Sequence, residues 1–200
     1  VIPSFPASRV RAVLRKLTGL YADMDTAYVA AAGAAGLSCA GCAENCCTSY
    51  FQHHTHVEWL SLLEGLRTLP EARRADYLAR ARAYCDETAA CLARGEIPRL
   101  MCPVNDDGLC GLYDHRLMIC RLHGVPNVLL GPGGIREFPG CGPCQRLAAA
   151  HPGNFPAMDR TPLLRRLAGL EMELWGSRPG RPPKVDLTLA AMLVAGETAS

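Results

Sequence analysis

Between residues 8 and about 31, Val10, Val13, Leu14, Leu17, Leu20, Tyr21, Met24 and Tyr28 recur at three- and four-residue steps, with Arg9, Arg11, Arg15, Lys16 and Asp23 between them. That period predicts one long amphipathic helix, ended by the Gly33 to Gly36 stretch. Thr55 and Glu58 have the spacing of a capping box, and Trp59, Leu62, Leu63 and Leu66 follow as an apolar stripe, so a helix is expected over about 56 to 68. Thr68 and Glu71 repeat the capping-box spacing with Pro70 between them, which predicts a third helix that could run to Gly95. On it, Cys85 shares a stripe with Leu78, Ala81 and Leu92, while Cys91 points roughly the other way.

From Ile97 to Pro162 the pattern changes, because Gly, Pro, Asn and Asp recur at short intervals and no apolar period lasts more than about two turns. Loops, one or two short strands and short helical turns are expected there. A structureless stretch of that length needs something else to hold it. Thr161-Pro162 then reads as an N-cap and first helical position, with Leu163, Leu164, Leu167, Leu170 and Leu174 on one face of a helix through Trp175. The Pro-, Gly- and Arg-rich run from Gly176 to Lys184 reads as a linker, after which Asp186 would cap a last apolar helix to Ala195. The expected architecture is mainly α: a single helical domain over residues 1–175, with residues 176–200 as linker and short C-terminal helix. No internal repeat is visible.

Charge narrows the function. The 21 basic and 19 acidic residues balance to a net +2, which gives no support to a nucleic-acid or membrane-surface role, and no apolar run is long enough to span a bilayer. Residues 1–8 carry no basic segment followed by an apolar stretch, and the chain has ample Leu, Val and Ala for a core, so a reducing, cytoplasmic setting is expected. No glycine-rich phosphate loop, nucleophile elbow or paired-carboxylate constellation is present, which disfavours kinase and ordinary hydrolase chemistry.

The chemistry lies in eleven cysteines, an odd number that a purely paired intrachain disulfide scheme cannot use up. Cys39-x2-Cys42-x3-Cys46-Cys47 places four thiols within nine residues. Short spacings of this kind wrap backbone around a metal ion or cluster, and in a reducing compartment they indicate ligands more than disulfides. Adjacent Cys46 and Cys47 diverge in an extended segment, so one of them faces a second metal or the core. Cys102, Cys110 and Cys120 form a second group across a turn at Asn105-Asp106-Asp107-Gly108. A third, Cys141-Gly-Pro-Cys144, suits a ligand knuckle or a thiol-disulfide redox pair; no βαβ pattern surrounds it, which favours the ligand reading. Cys85 and Cys91 read as small core hydrophobes. Nine thiols in clusters at 39–47, 102–120 and 141–144 exceed the four that one zinc site or one cubane takes.

The order Cys-x2-Cys, a Cys-Cys doublet, Cys102-Pro, Asp107-Gly-Leu-Cys110-Gly-Leu-Tyr113 and Arg116-Leu-Met-Ile-Cys120-Arg121 resembles the YkgJ-like CxxCxxCC family of zinc- or iron-chelating cysteine-cluster proteins, over about residues 39 to 145. Two positions depart from its pattern: three residues rather than two separate Cys42 from Cys46, and Leu117 stands where a proline is usual. By motif position the resemblance implies Cys39, Cys42, Cys46, Cys47, Cys102, Cys110 and Cys120 as ligands, while Cys141 and Cys144 come from spacing alone. It also implies a metal or iron–sulfur centre; because the cysteines outnumber one closed zinc site and the chain reads as intracellular, an iron–sulfur cluster, with [4Fe-4S] favoured, is preferred to thiolate-bound zinc. One branch, the flagellin lysine N-methylase, implies that the scaffold can support protein methyl transfer.

His54, in the run Gln52-His53-His54-Thr55-His56, and His123, three residues after Cys120, are candidates to contact the cofactor; solvation of a helix N-terminus is the alternative for the first. Arg116 and Arg121 are candidates to neutralise a thiolate-ligated cluster. The sequence thus leads to a metal-binding protein, with a cluster-dependent methyltransferase and a thiol-disulfide redox protein as alternatives. A metal ion or cluster is the expected partner, a protein partner or substrate stays open, and no catalytic residue is assigned.

Overall fold

The computed structural model describes residues 2–39, 42, 44, 46–151 and 155–197, the side chain of Cys46 excepted. It is mostly helical. The described residues form helices α1 (Ala7–Ala34), α2 (His56–Thr68), α3 (Glu71–Ala93), α4 (Met118–Leu122), α5 (Gly142–Ala150), α6 (Thr161–Trp175) and α7 (Leu189–Glu197). Between them lie strands β1 (Asn105–Asp106), β2 (Leu109–Cys110), β3 (Asn127–Gly131), β4 (Gly134–Phe138) and β5 (Met158–Asp159). None of these helices is long and apolar enough to cross a membrane. The chain divides into two compact units, one of residues 1–14, 47–117 and 171–200, the other of residues 15–46 and 118–170.

The core of the first unit is made by Trp59, Leu62, Leu63 and Leu66 of α2, Tyr77, Leu78 and Ala81 of α3, and Leu189, Ala190, Met192 and Leu193 of α7, with Val104, Leu112 and Leu117. Helix α7 is therefore core, and the indole N–H of Trp59 donates to its Met192 carbonyl at 2.7 Å. Helix α2 starts as its capping box predicts: Thr55 is extended (φ −122°), and its hydroxyl accepts from Glu58 N and donates to Glu58 Oε2 at 2.7 Å. Glu171 adds a second cap, accepting from His56 N at 3.0 Å and Val57 N at 2.9 Å.

Three local expectations are corrected. The Thr68 hydroxyl donates back to Gly65 O at 2.8 Å, so it closes α2 and the N-cap of α3 is Pro70 without a side-chain bond. Asp186 does not cap α7; it holds a left-handed φ of 48° and binds His54, and the Thr188 hydroxyl accepts from Ala191 N instead. On α3 the buried cysteine is Cys91, while Leu92 is exposed.

Strands β1 and β2 form a tight antiparallel hairpin whose turn, Asp107 (φ 51°) and Gly108 (φ 90°), has the doubly positive φ of the favoured two-residue connection. Asp106 anchors it to α3 by accepting from Arg73, the Tyr77 hydroxyl and Arg80, the last at 3.0 Å. Gly111, just past the hairpin, has the Tyr77 hydroxyl where a Cβ would stand. Tyr77 is buried and held by Asp106, so it has nowhere to retreat. Gly111→Ala is expected to destabilise the protein by about 1–3 kcal/mol, an overpacking cost read as a lowered midpoint of denaturant unfolding. An unchanged midpoint would show that the hairpin is not clamped in this way.

In the second unit, α1 presents Leu17, Leu20, Tyr21 and Met24 as a buried stripe. It ends with Gly36 at φ 65°, Leu37 N donating to Ala32 O at 2.9 Å, the arrangement of a Schellman terminus. Strand β3 pairs antiparallel with β4 and parallel with β5. Because α5 lies in the connection from β3 to its parallel neighbour β5, the expectation that no βαβ pattern surrounds Cys141 and Cys144 is also corrected.

Candidate metal centre

The cysteines fall into two groups, each within one unit. In the first unit lie Cys47, the last member of the first cluster, Cys102, which precedes β1, and Cys110, which ends β2. The amide of Cys102 donates to Cys47 O at 3.0 Å, and Asn105 N donates to Cys102 O at 3.0 Å, so backbone bonds fix the Cys102 loop on both sides. Register pairs Asn105 with Cys110. Burial first, then charge on nearby Cys47 and Cys110, pushes the Cys102 thiol up to about 12. Burial favours the protonated thiol, and a bound metal would replace the proton and remove the penalty. Tyr84 is also close to this group, since burial first and then charge on Cys102 raises the Tyr84 hydroxyl.

In the second unit, Cys42 N donates to Cys39 O at 3.2 Å, closing the C-x2-C turn, and Cys39 Sγ lies 3.6 Å from the Tyr28 hydroxyl. Cys120 lies on α4, Cys141 is the N-cap of α5, and Cys144 is buried one turn inside it. Close backbone approaches draw these segments together. A Cβ on Gly140 (φ 82°) would stand 2.5 Å from Gly124 O, and Cys141 N donates to the same carbonyl at 3.1 Å, so the Cys141 segment lies on the loop that follows Cys120. A Cβ on Gly124 would meet the Tyr28 hydroxyl at 2.6 Å, and one on Gly142 would meet the Glu44 carboxylate, which also pairs with Arg146 of α5 at 2.6 Å. Burial, then Cys141, raises the Cys144 thiol. Side-chain placement of Cys46 lies outside the described residues. Among the described residues no group of three or more His, Cys, Asp or Glu side chains is arranged to hold a metal ion, and none of the described cysteines forms a disulfide.

The other candidates have partners of their own. His54 is half-exposed, with Nδ1 2.5 Å from Asp186 Oδ1. Arg116 lies over the Tyr113 ring at 3.7 Å. Arg121 is buried, pairs with Asp25 at 2.6 Å and covers the Tyr21 ring at 4.0 Å. His123, just beyond α4, has its imidazole pKa lowered by burial. Sequence reasoning missed Tyr28, counted there only as an apolar stripe residue, and Glu44. The glycines at 124, 140 and 142 were the available signal.

His53 is buried, and its Nδ1 has no hydrogen-bond partner. Its backbone pairs with Leu187 at 2.8 and 3.2 Å. Burial, with a smaller push from His54, lowers the His53 imidazole to about 3. The folded state therefore binds fewer protons than the unfolded chain between about pH 3 and 6.5, and the stability from neutral His53 is present above pH 6.5 and lost as pH falls. Within that window the expected slope is about 1.4 kcal/mol per pH unit. His53→Leu should flatten the acid limb of a stability-against-pH profile, and an unaltered limb would exclude His53 as its source.

Compared with models of known protein families, with curated proteins and with solved structures, the chain finds no match.

Proposed function

We propose that this protein binds a metal through its cysteine groups, as an iron–sulfur cluster, with [4Fe-4S] favoured, or as thiolate-bound zinc. The observation that carries the reading is the approach of the segments bearing Cys47, Cys102 and Cys110, tied by the Cys102 N to Cys47 O bond at 3.0 Å and by the register that sets Cys110 opposite Asn105. Such a group is costly to ionise alone and suits a soft cation. The first cysteine cluster and the resemblance to the CxxCxxCC family support the same conclusion. Cys39, Cys42, Cys120, Cys141 and Cys144 are the second donor set. When bound, a cluster supplies electron transfer or a labile iron position, and zinc supplies a structural tie.

The test is iron, zinc and acid-labile sulfide per chain, with a visible spectrum, on protein purified without oxygen or added metal. Iron with matching sulfide, or zinc without sulfide, supports the reading and names the metal. Metal-free protein that takes up neither on reconstitution overturns it.

One observation favours a second reading. Cys141 is half-exposed at the N-cap of α5 while Cys144 is buried within the helix, an unequal pair at a C-x2-C spacing. In a thiol-disulfide exchange the pair would lose two electrons and two protons in forming its disulfide, reducing a partner disulfide to two thiols. Reversible oxidation of Cys141 and Cys144 in metal-free protein would support this reading, and its absence would remove it.

A further inference from the structure

Among the described residues, no carboxylate pairs with two guanidinium groups on the sheet of the second unit, those of Arg136 and Arg160. In its register Leu129 faces Arg136, and Asn127 faces both Phe138 and Met158, so these side chains share one face of the sheet; Arg160 continues that face two residues beyond Met158. The Arg160 guanidinium carbon lies over the Phe138 ring, 3.5 Å from its centroid. Its Nε is sealed from solvent with no hydrogen-bond partner, and an aromatic face offers no acceptor in the guanidinium plane. Burial, then the like charge of Arg136, lowers the Arg160 pKa. Two cations held together at a partly buried position are unfavourable unless an anion joins them.

The acidic residues of this unit are otherwise engaged. Asp23 pairs with Arg166, Asp25 with Arg121 and Glu44 with Arg146. Asp159 accepts from Thr161 N at 2.8 Å, and it and Glu137 lie on the opposite face of the sheet, both in register with Val128. Among the described residues, exposed Arg136 and partly buried Arg160 share one face of the sheet with no acid paired to either, and the Phe138 ring covers one side of the Arg160 guanidinium.

We propose that Arg136 and Arg160 form an oxyanion-binding site suited to a phosphate or phosphoryl group. A guanidinium's planar fork of N–H donors matches the oxygens of a tetrahedral dianion, so two arginines on one sheet face without an acid suit such a group. This site is independent of the metal reading.

Inorganic phosphate is the probe, titrated into the full-length protein with calorimetry and thermal unfolding as readouts, against acetate and chloride at matched ionic strength. Saturable binding is expected, with a phosphate-dependent rise in Tm that acetate and chloride do not reproduce. Arg136→Gln, an exposed change, should leave the fold intact and weaken binding by about tenfold or more. Arg160→Met should abolish binding and, without phosphate, leave Tm unchanged or raised, because it removes an uncompensated cation from a partly buried position. No saturable binding, an equal response to chloride or acetate, or full binding by Arg136→Gln would overturn the proposal. A phosphate-free loss of Tm in Arg160→Met, with wild-type protein indifferent to phosphate, would assign Arg160 a packing role instead.

Discussion

Glu171→Ala is expected to destabilise the first unit by about 3–5 kcal/mol, the cost of breaking a buried, multiply bonded carboxylate. Glu171 is only 6% exposed, and its two oxygens accept from His56 N at 3.0 Å, His56 Nδ1 at 2.7 Å and Val57 N at 2.9 Å. Truncation leaves two amides of the first turn of α2 and one imidazole N–H buried without acceptors. The ring cannot swing out to water, because Phe5, Trp59 and Trp175 surround it with centroids 5.5 to 6.3 Å away. Glu171→Gln keeps an acceptor oxygen and is expected to cost less, about 1–2 kcal/mol. Denaturant unfolding of the three proteins checks the order, and equal midpoints would falsify the capping role.

Cys102→Ala and Cys39→Ala are expected to lose metal, whereas Cys91→Ala keeps it. Cys102 is drawn towards Cys47 and Cys110 in the first unit, and Cys39 belongs to the C-x2-C turn in the second. Cys91 is buried on α3, where Arg94 Nη2 donates to its Sγ at 3.5 Å, and it packs as an apolar side chain. Loss of a ligand should weaken metal binding by more than the about 10–100-fold that outer-shell changes cost. The measurement is metal per chain after equilibration with a competing chelator, alongside far-UV circular dichroism to verify folding. Full metal content in both ligand variants would remove these cysteines from the site.

Much of the helical frame could be read from periodicity alone. The start of α2 follows from Thr55-x2-Glu58, where local hydrogen bonds decide where a helix begins, whereas at α6 Thr161 is the first helical residue and not the expected N-cap, because its hydroxyl accepts from Leu130 N and its own N–H donates to Asp159. Competing local bonds explain the failures: Thr68 turns back to Gly65, and Asp186 is diverted to His54, leaving the α7 cap to Thr188. The β3–β4 hairpin escaped notice because its strands flank a Pro-Gly turn in a region dense with glycine, and half of their residues face solvent. The candidate cysteines were legible one segment at a time, from C-x2-C spacings. Their grouping was not, since it depends on approaches between distant segments such as Gly140 to Gly124 and Gly142 to Glu44. No local pattern encodes those contacts. Glu171 capping a helix that begins 115 residues earlier is invisible for the same reason.

The return of α7 into the core of the first unit sets a timetable for biosynthesis. Trp59, Leu62 and Leu63 stay uncovered until Leu189, Met192 and Leu193 have been made and have left the ribosome. At about 5–20 residues per second, Cys47, Cys102 and Cys110 then spend several seconds on a nascent chain whose core is incomplete. Closure of the first unit therefore waits for α7, and the thiols of its cysteine group meet the cell's metal and oxidant pools before their final enclosure exists.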